Sequence, residues 1–126
     1  MRIGCGTDIT EISRIKDSIQ RFGEIFLKKI YTDNEIEYCE QKNENKFQHY
    51  AARFAAKEAI YKAINNFSEK MEADFLDAEI INSTTGKPKV RFLNKLVKFN
   101  ECEIDLSISH CREYSVATVV IVFEKE

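Results

Sequence analysis

The chain has 126 residues, 44% of them hydrophobic and 32% charged, with a formal net charge of −2. That balance fits one folded domain spanning residues 1–126, and it argues against disorder and against a general nucleic-acid binder. No apolar run reaches the length of a membrane span and the amino terminus lacks signal-peptide regions, so the expectation is a soluble, cytoplasmic protein with no membrane partner.

Residues 2–9 alternate as a strand, with Ile3, Cys5, Thr7 and Ile9 on one side and Gly4, Gly6 and Asp8 on the other. Two glycines on one face predict close approach by another backbone or by a ligand. Asp8 ends that cleared face, and capping of the next helix by Asp8 or Thr10 is an equally simple account. Residues 11–22 follow as an amphipathic helix with Ile12, Ile15, Ile19 and Phe22 as its buried stripe and Gly23 as its stop. Arg14, Ser18 and Arg21 share the opposite face, either as a solvated surface or as a dock for an acidic partner. Ile25, Phe26, Leu27 and Ile30 predict a short buried helix over 24–31, and Thr32-Asp33-Asn34-Glu35 has the capping-box pattern that opens another through about Glu40.

After a polar connection over 41–45, a helix is predicted from about 45 to 66, with Asn65-Asn66 as its stop. Its apolar residues form two stripes. Ala52, Ala56, Ala59, Ile60, Ala63, Ile64 and Phe67 make one, and Phe47, Ala51, Phe54, Ala55 and Tyr61 make the other. A helix apolar on two sides is packed on two sides. Glu58 falls inside the second stripe, where a carboxylate is costly unless paired or bound to a metal. Lys62 lies at i+4, so an ordinary Glu–Lys surface pair also accounts for it.

A charged loop covers 67–74, and a strand is predicted over 75–82, with Leu76, Ala78 and Ile80 alternating against Asp77 and Glu79. Thr84 to Pro88 reads as a turn, with Lys89–Phe92 as the return strand of a hairpin. A short helix over 93–99 is followed by a strand over 103–110 and a strongly apolar strand from Tyr114 to Phe123, ahead of a polar tail. Helices segregated from mainly antiparallel strands define an α+β fold, with one long central helix and shorter helices packed on the sheet. Cys5, Cys39, Cys102 and Cys111 lack Cys-x-x-Cys spacing and His49 and His110 flank no cysteine pair, so reduced thiols and no zinc are expected.

Three segments together resemble one family, the holo-acyl-carrier-protein synthases, small bacterial-type 4′-phosphopantetheinyl transferases. They are Gly4-Cys5-Gly6-Thr7-Asp8-Ile9, Arg53 to Ile64 with its Lys-Glu-x-x-x-Lys core, and Leu106-Ser107-Ile108-Ser109-His110. Gly86-Lys87-Pro88 is similar to the family's hairpin turn. The sequence Asn65-Asn66-Phe67-Ser68-Glu69-Lys70 departs from the glycine-rich turn that members often carry after the long helix.

The resemblance implies transfer of 4′-phosphopantetheine from coenzyme A to a serine of apo acyl carrier protein, in support of fatty acid biosynthesis. It implies Mg²⁺ on Asp8 and Glu58, which suits an ion that binds through one or two carboxylates and substrate phosphates. By the same pattern Lys62 approaches those phosphates, and Arg53, Ser109 and His110 lie at the nucleotide end of coenzyme A. Gly86, Lys87 and Pro88 would border the adenine, although a plain hairpin turn explains them equally. Arg14, Ser18 and Arg21 would dock the acidic carrier protein, and family members of this size are homotrimers with active sites between subunits. The competing reading is a non-catalytic, oligomeric module that binds coenzyme A or a nucleotide. An oligomeric scaffold with Glu58–Lys62 as an interface ion pair is a third.

Overall fold

The structure is a computed structural model that describes residues 1–65 and 74–123. Strand β1 (Arg2–Glu11) leads directly into helix α1 (Ile12–Phe22). Gly23, at φ 56°, ends α1 by donating its N–H to the Ile19 carbonyl, and α2 (Glu24–Ile30) follows. The capping box of Thr32 and Glu35 then opens α3 (Asp33–Glu40), as its sequence pattern predicts. A 3₁₀ turn at Asn43–Asn45 precedes the long helix α4 (Lys46–Asn65). The expected stop at Asn66, the stripe residue Phe67, most of the charged loop after it and the tail from Glu124 lie outside the described residues.

The carboxy-terminal half is strands. A 3₁₀ turn at Phe75–Asp77 leads into β2 (Ala78–Asn82), which pairs antiparallel with β3 (Pro88–Phe92). A 3₁₀ segment at Asn94–Glu101 follows where a short helix is expected. Then come β4 (Glu103–His110) and β5 (Tyr114–Phe123). β5 lies between β1 and β4 in a three-stranded antiparallel sheet, and β2–β3 form a separate hairpin. The fold is α+β, as its element order predicts.

Helix α4 organises the core. On one side Ala55, Ala56, Ala59, Ile60, Ala63 and Ile64 pack against Leu106 of β4 and Ala117, Val119 and Ile121 of β5. On the other, Tyr50 and Ala51, with Phe54 beside them, pack against Ile15, Leu27, Ile30, Tyr31 and Cys39 of the amino-terminal helices. Two-sided packing is therefore what the two stripes encode, with an amendment: Ala55 and Tyr61 join the sheet side. Small residues let the helix lie close to β1. A Cβ built on Gly6 would sit 1.9 Å from the Ala59 carbonyl oxygen. The cleared strand face thus receives the α4 backbone at Gly6.

Three groups of expectations are corrected. Phe22 is 55% exposed and Ile25 77% exposed, because α1 ends at Gly23 and the turn carries both residues outward. Asp77 and Glu79 are buried although their strand pattern places them outside. Asp77 accepts hydrogen bonds from the Asp74 N–H (3.0 Å) and Asn94 (3.1 Å). Glu79 meets Thr32 and Asn34 at the α3 terminus and an arginine, Arg91, across the hairpin at 2.8 Å. Neither Asp8 nor Thr10 caps α1: the cap residue is Glu11, with no side-chain cap bond, and the Ile12 N–H is taken by the Glu113 carbonyl.

Candidate functional site

Asp8 and Thr10 point from the same face of β1, and Glu58 and Lys62 rise one turn apart from α4 where the two elements meet. They line a cleft of about 440 Å³ with Arg14, Ile15 and Ser18 of α1, Phe26 of α2, Ile9, and Phe54 of α4. Phe54 is held by stacking on Phe75, ring centroids 5.4 Å apart. Lys62 Nζ does not close a simple pair with Glu58. It reaches across to Asp8 Oδ1 at 3.3 Å and donates to the Thr7 carbonyl at 3.0 Å. Glu58 is held above the usual carboxylate range, first by burial and then by the negative charge of Asp8, with Lys62 pulling the other way. The cleft therefore joins two carboxylates that repel each other to one lysine and one arginine.

Such a donor set suits a hard divalent cation. Among the described residues no group of three or more His, Cys, Asp or Glu is gathered for a metal, but Mg²⁺ needs only one or two protein carboxylates when substrate phosphates and waters supply the rest. The mutual repulsion of Asp8 and Glu58 is what such a cation relieves.

A second depression, about 220 Å³, lies on the other side of α4. Arg53, His110, Gly86 and Pro88 line it, together with Tyr38, Gln48, His49, Ala52, Asn82 and Ile108. Arg53 precedes Glu58 by five residues, which turns its side chain about 140° around the helix axis. Arg53 is only 3% exposed. Its guanidinium donates to the side-chain amide oxygen of Asn82 and lies 4.1 Å above the Tyr38 ring, and among the described residues its Nε has no partner. Lys42 Nζ lies over the same ring at 4.6 Å. His49 is held below the usual histidine value by burial and then by the charges of Arg53, Lys42 and His110. This depression is cationic and lacks a carboxylate ion pair at Arg53 among the described residues.

The expected residues thus fall into two groups on one chain. Asp8, Glu58, Lys62, Arg14 and Ser18 share the first cleft; Arg53, Gly86, Pro88 and His110 share the second. Three stand apart from both. Lys87 pairs with Asp105 at 3.3 Å in the groove between β3 and β4. Ser109 lies on the opposite face of β4 from His110. Arg21 is exposed beside Phe22, its guanidinium 6.0 Å from the ring.

Sequence reasoning passed over the buried Lys57–Glu35 ion pair, 2.7 Å apart with both side chains fully buried. Lys57 also donates to the Ile30 and Phe75 carbonyls, and Glu35 accepts from the Thr32 and Ile80 N–H groups. This one pair ties α2, α3, α4 and β2 together immediately beside Glu58. The capping-box glutamate was the available signal, but the oxygen that accepts the Thr32 N–H also meets Lys57, and nothing in the sequence marks that partner. Tyr38, Gln48 and His49 were also unmarked, since nothing local distinguishes them from ordinary helix residues.

The curated relatives and solved structures agree on one family. A holo-[acyl-carrier-protein] synthase of Ruminiclostridium cellulolyticum is 46% identical over 125 residues, covering 96% of this chain and 92% of its own. The Bacillus anthracis holo-(acyl-carrier-protein) synthase, solved in complex with CoA (3′,5′-ADP), superposes with a TM-score of 0.75 at 35% identity, over 94% of each chain. The Chronobacterium ammoniagenes ACPS–CoA complex, at 20% identity, matches in fold with a TM-score of 0.85 over 99% of this chain and 100% of its own. The 4′-phosphopantetheinyl transferase superfamily model matches residues 4–119, and this chain belongs to that family.

Proposed function

We infer that this chain is a holo-[acyl-carrier-protein] synthase, transferring 4′-phosphopantetheine from coenzyme A to a serine of apo acyl carrier protein. The serine oxygen gives up its proton to solvent and bonds to the phosphorus on the pantetheine side of the pyrophosphate. The bond from that phosphorus to the bridging oxygen breaks, and adenosine 3′,5′-bisphosphate leaves with the electron pair. The observation that carries this reading is the first cleft, where Asp8, Glu58 and Lys62 meet beside Arg14. Phosphoryl transfer asks for positioning and charge neutralisation rather than for a protein nucleophile, and the cleft supplies groups for both.

Asp8 and Glu58 are the residues that would hold Mg²⁺, which when bound supplies Lewis-acid polarisation of the phosphoryl oxygen. Lys62, already drawn to Asp8, adds a mobile positive charge at the same end. Arg53 and His110 would hold the nucleotide phosphates: a buried guanidinium with a spare donor in a cationic depression suits a phosphate. Gly86 and Pro88 line that depression and would border the adenine. Lys87 and Ser109 would contribute from the neighbouring groove and the outer sheet face. Arg14 and Arg21 would draw in the acidic carrier protein, with Ser18 between them on α1.

The separation of the two groups supports a homotrimer in which one subunit's carboxylates work with the next subunit's Arg53 and His110. The outer face of the β1–β5–β4 sheet supplies a fitting surface, with Ile3, Ile9, Tyr114 and Val120 exposed upon it. Residues 1–126 would act as one domain in each subunit. Among the described residues no helix is long and apolar enough to cross a membrane, which is compatible with work in the cytoplasm on behalf of fatty acid biosynthesis.

Chromatographic detection of adenosine 3′,5′-bisphosphate tests the reaction: it should form only when coenzyme A and apo carrier protein are both present. Subunit mixing tests the assembly. Asp8→Ala and Arg53→Ala proteins, each inactive alone, should regain part of the activity after co-refolding. No recovery from mixed oligomers would place both groups' work within one subunit.

A further inference from the structure

Thr10 is a residue with a hydroxyl that the fold does not need. It sits two positions beyond Asp8 on β1, so both side chains leave the same face of the strand. It is 7% exposed. A hydroxyl that buried needs a hydrogen-bond partner, and capping is not its task, because the α1 cap is Glu11 and the first helical N–H goes to Glu113. Valine would fill the same space at no polar cost. The hydroxyl instead donates to Asp8 Oδ2 at 2.8 Å, while Lys62 approaches the other oxygen, Oδ1, at 3.3 Å. Two donors on opposite oxygens fix the plane of one carboxylate. The threonine side is the stiff one, since a β-branched side chain has few χ1 states, whereas the lysine is long and half-exposed.

We propose that Thr10 is the positioning residue for Asp8, holding its carboxylate in the orientation that receives the divalent cation and leaving Lys62 free to turn toward substrate. This rests on the reading of Asp8 and Glu58 as the metal carboxylates. Outer-shell partners of metal-binding groups typically contribute about 10- to 100-fold to metal affinity or activity, and Thr10 has the geometry of such a partner.

The test is Mn²⁺ binding by electron paramagnetic resonance, using the intact protein with saturating coenzyme A. The set comprises the parent, Thr10→Val, Thr10→Ser, Thr10→Ala and Asp8→Asn. Thr10→Val should weaken Mn²⁺ binding by about tenfold or more. It should raise the metal concentration for half-maximal rate more than it lowers kcat at saturating metal. Thr10→Ser, which keeps the hydroxyl, should restore both. Thr10→Ala repeats the measurement should the valine protein fold poorly. Parent-like Mn²⁺ affinity in Thr10→Val and Thr10→Ala, or a serine variant as weak as the valine one, overturns the proposal. If Asp8→Asn loses Mn²⁺ while Thr10→Val keeps it, the metal reading stands and only the Thr10 assignment falls. If Asp8→Asn itself binds Mn²⁺ as the parent does, both fall.

Discussion

Replacing Gly6 with alanine tests how the fold sets the site. The new Cβ would lie 1.9 Å from the Ala59 carbonyl oxygen, 2.9 Å from its carbon and 3.0 Å from the Ala63 nitrogen. All three are backbone atoms of α4, so no side chain can swing away. Restoring ordinary contact, at 3.4 Å or more, requires β1 and α4 to separate by about 1.5 Å. Overpacking costs typically 1–3 kcal/mol, and backbone against backbone belongs at the upper end, about 3 kcal/mol. For a chain of this size that is a fall in Tm on the order of 10 °C. The site is more sensitive still. Ala59 is next to Glu58, and Gly6 is two residues from Asp8, so the separation falls between the two carboxylates. A displacement near 1 Å can cost about 100-fold in rate. Thermal unfolding followed by circular dichroism, and turnover measured well below the variant's Tm, separate the two effects. A Gly6→Ala protein that melts within about 2 °C of the parent and keeps its rate would refute the close-approach argument.

Other consequences follow from the same geometry. Glu35→Gln leaves Lys57 buried without its counter-charge, and should cost about 3–5 kcal/mol near neutral pH in chemical denaturation. Burial already holds Lys57 below the usual lysine value, with Glu35 opposing. In the variant the unfolded chain binds the extra proton, so stability should recover as pH rises; a flat pH profile would mean that folded Lys57 binds its proton as readily as the unfolded chain does, and would count against a lowered folded value. Glu40 is held below the usual carboxylate range, chiefly by the hydrogen bond from the Tyr50 hydroxyl at 2.7 Å. That contribution is complete above the unfolded carboxylate's pKa and is lost as pH falls through the lower folded value. Tyr50→Phe should therefore flatten the acid limb of the stability curve, and an unchanged limb would remove this bond from the account. Arg14→Glu should raise the Michaelis constant for carrier protein at low ionic strength, with the difference shrinking in salt, since exposed charges are screened beyond about 10 Å at 0.1 M. Equal constants at low salt would exclude Arg14 from docking.

Much of the fold was legible because its signals are local. Thr32 and Glu35 announce α3, Gly23 ends α1, and the two apolar stripes of α4 announce a helix packed on both sides. What escaped depends on partners distant in sequence. Glu79 and Asp77 alternate as solvent-facing strand residues, yet they are buried because Thr32, Asn34, Arg91 and Asn94 converge on them from other elements. Lys57 looks like any helix-surface lysine until Glu35, 22 positions earlier, arrives to neutralise it. The candidate site divides in the same way. The short distance from Asp8 to Lys62 follows from the β1–α4 contact that Gly4 and Gly6 hint at, and both motifs were visible. That Arg53 and His110 open onto a different depression depends on the turn of α4 between Arg53 and Glu58. The helical period contains that information, but the motif read as a string conceals it.

The most direct test of the central claim is intact-protein mass spectrometry of apo acyl carrier protein after incubation with this protein, coenzyme A and Mg²⁺, with and without a chelator. The account predicts a mass gain of one 4′-phosphopantetheine group per carrier protein, lost on chelation and lost again in Asp8→Ala. A carrier protein of unchanged mass across a panel of apo carriers, with coenzyme A still bound in calorimetry, would contradict it.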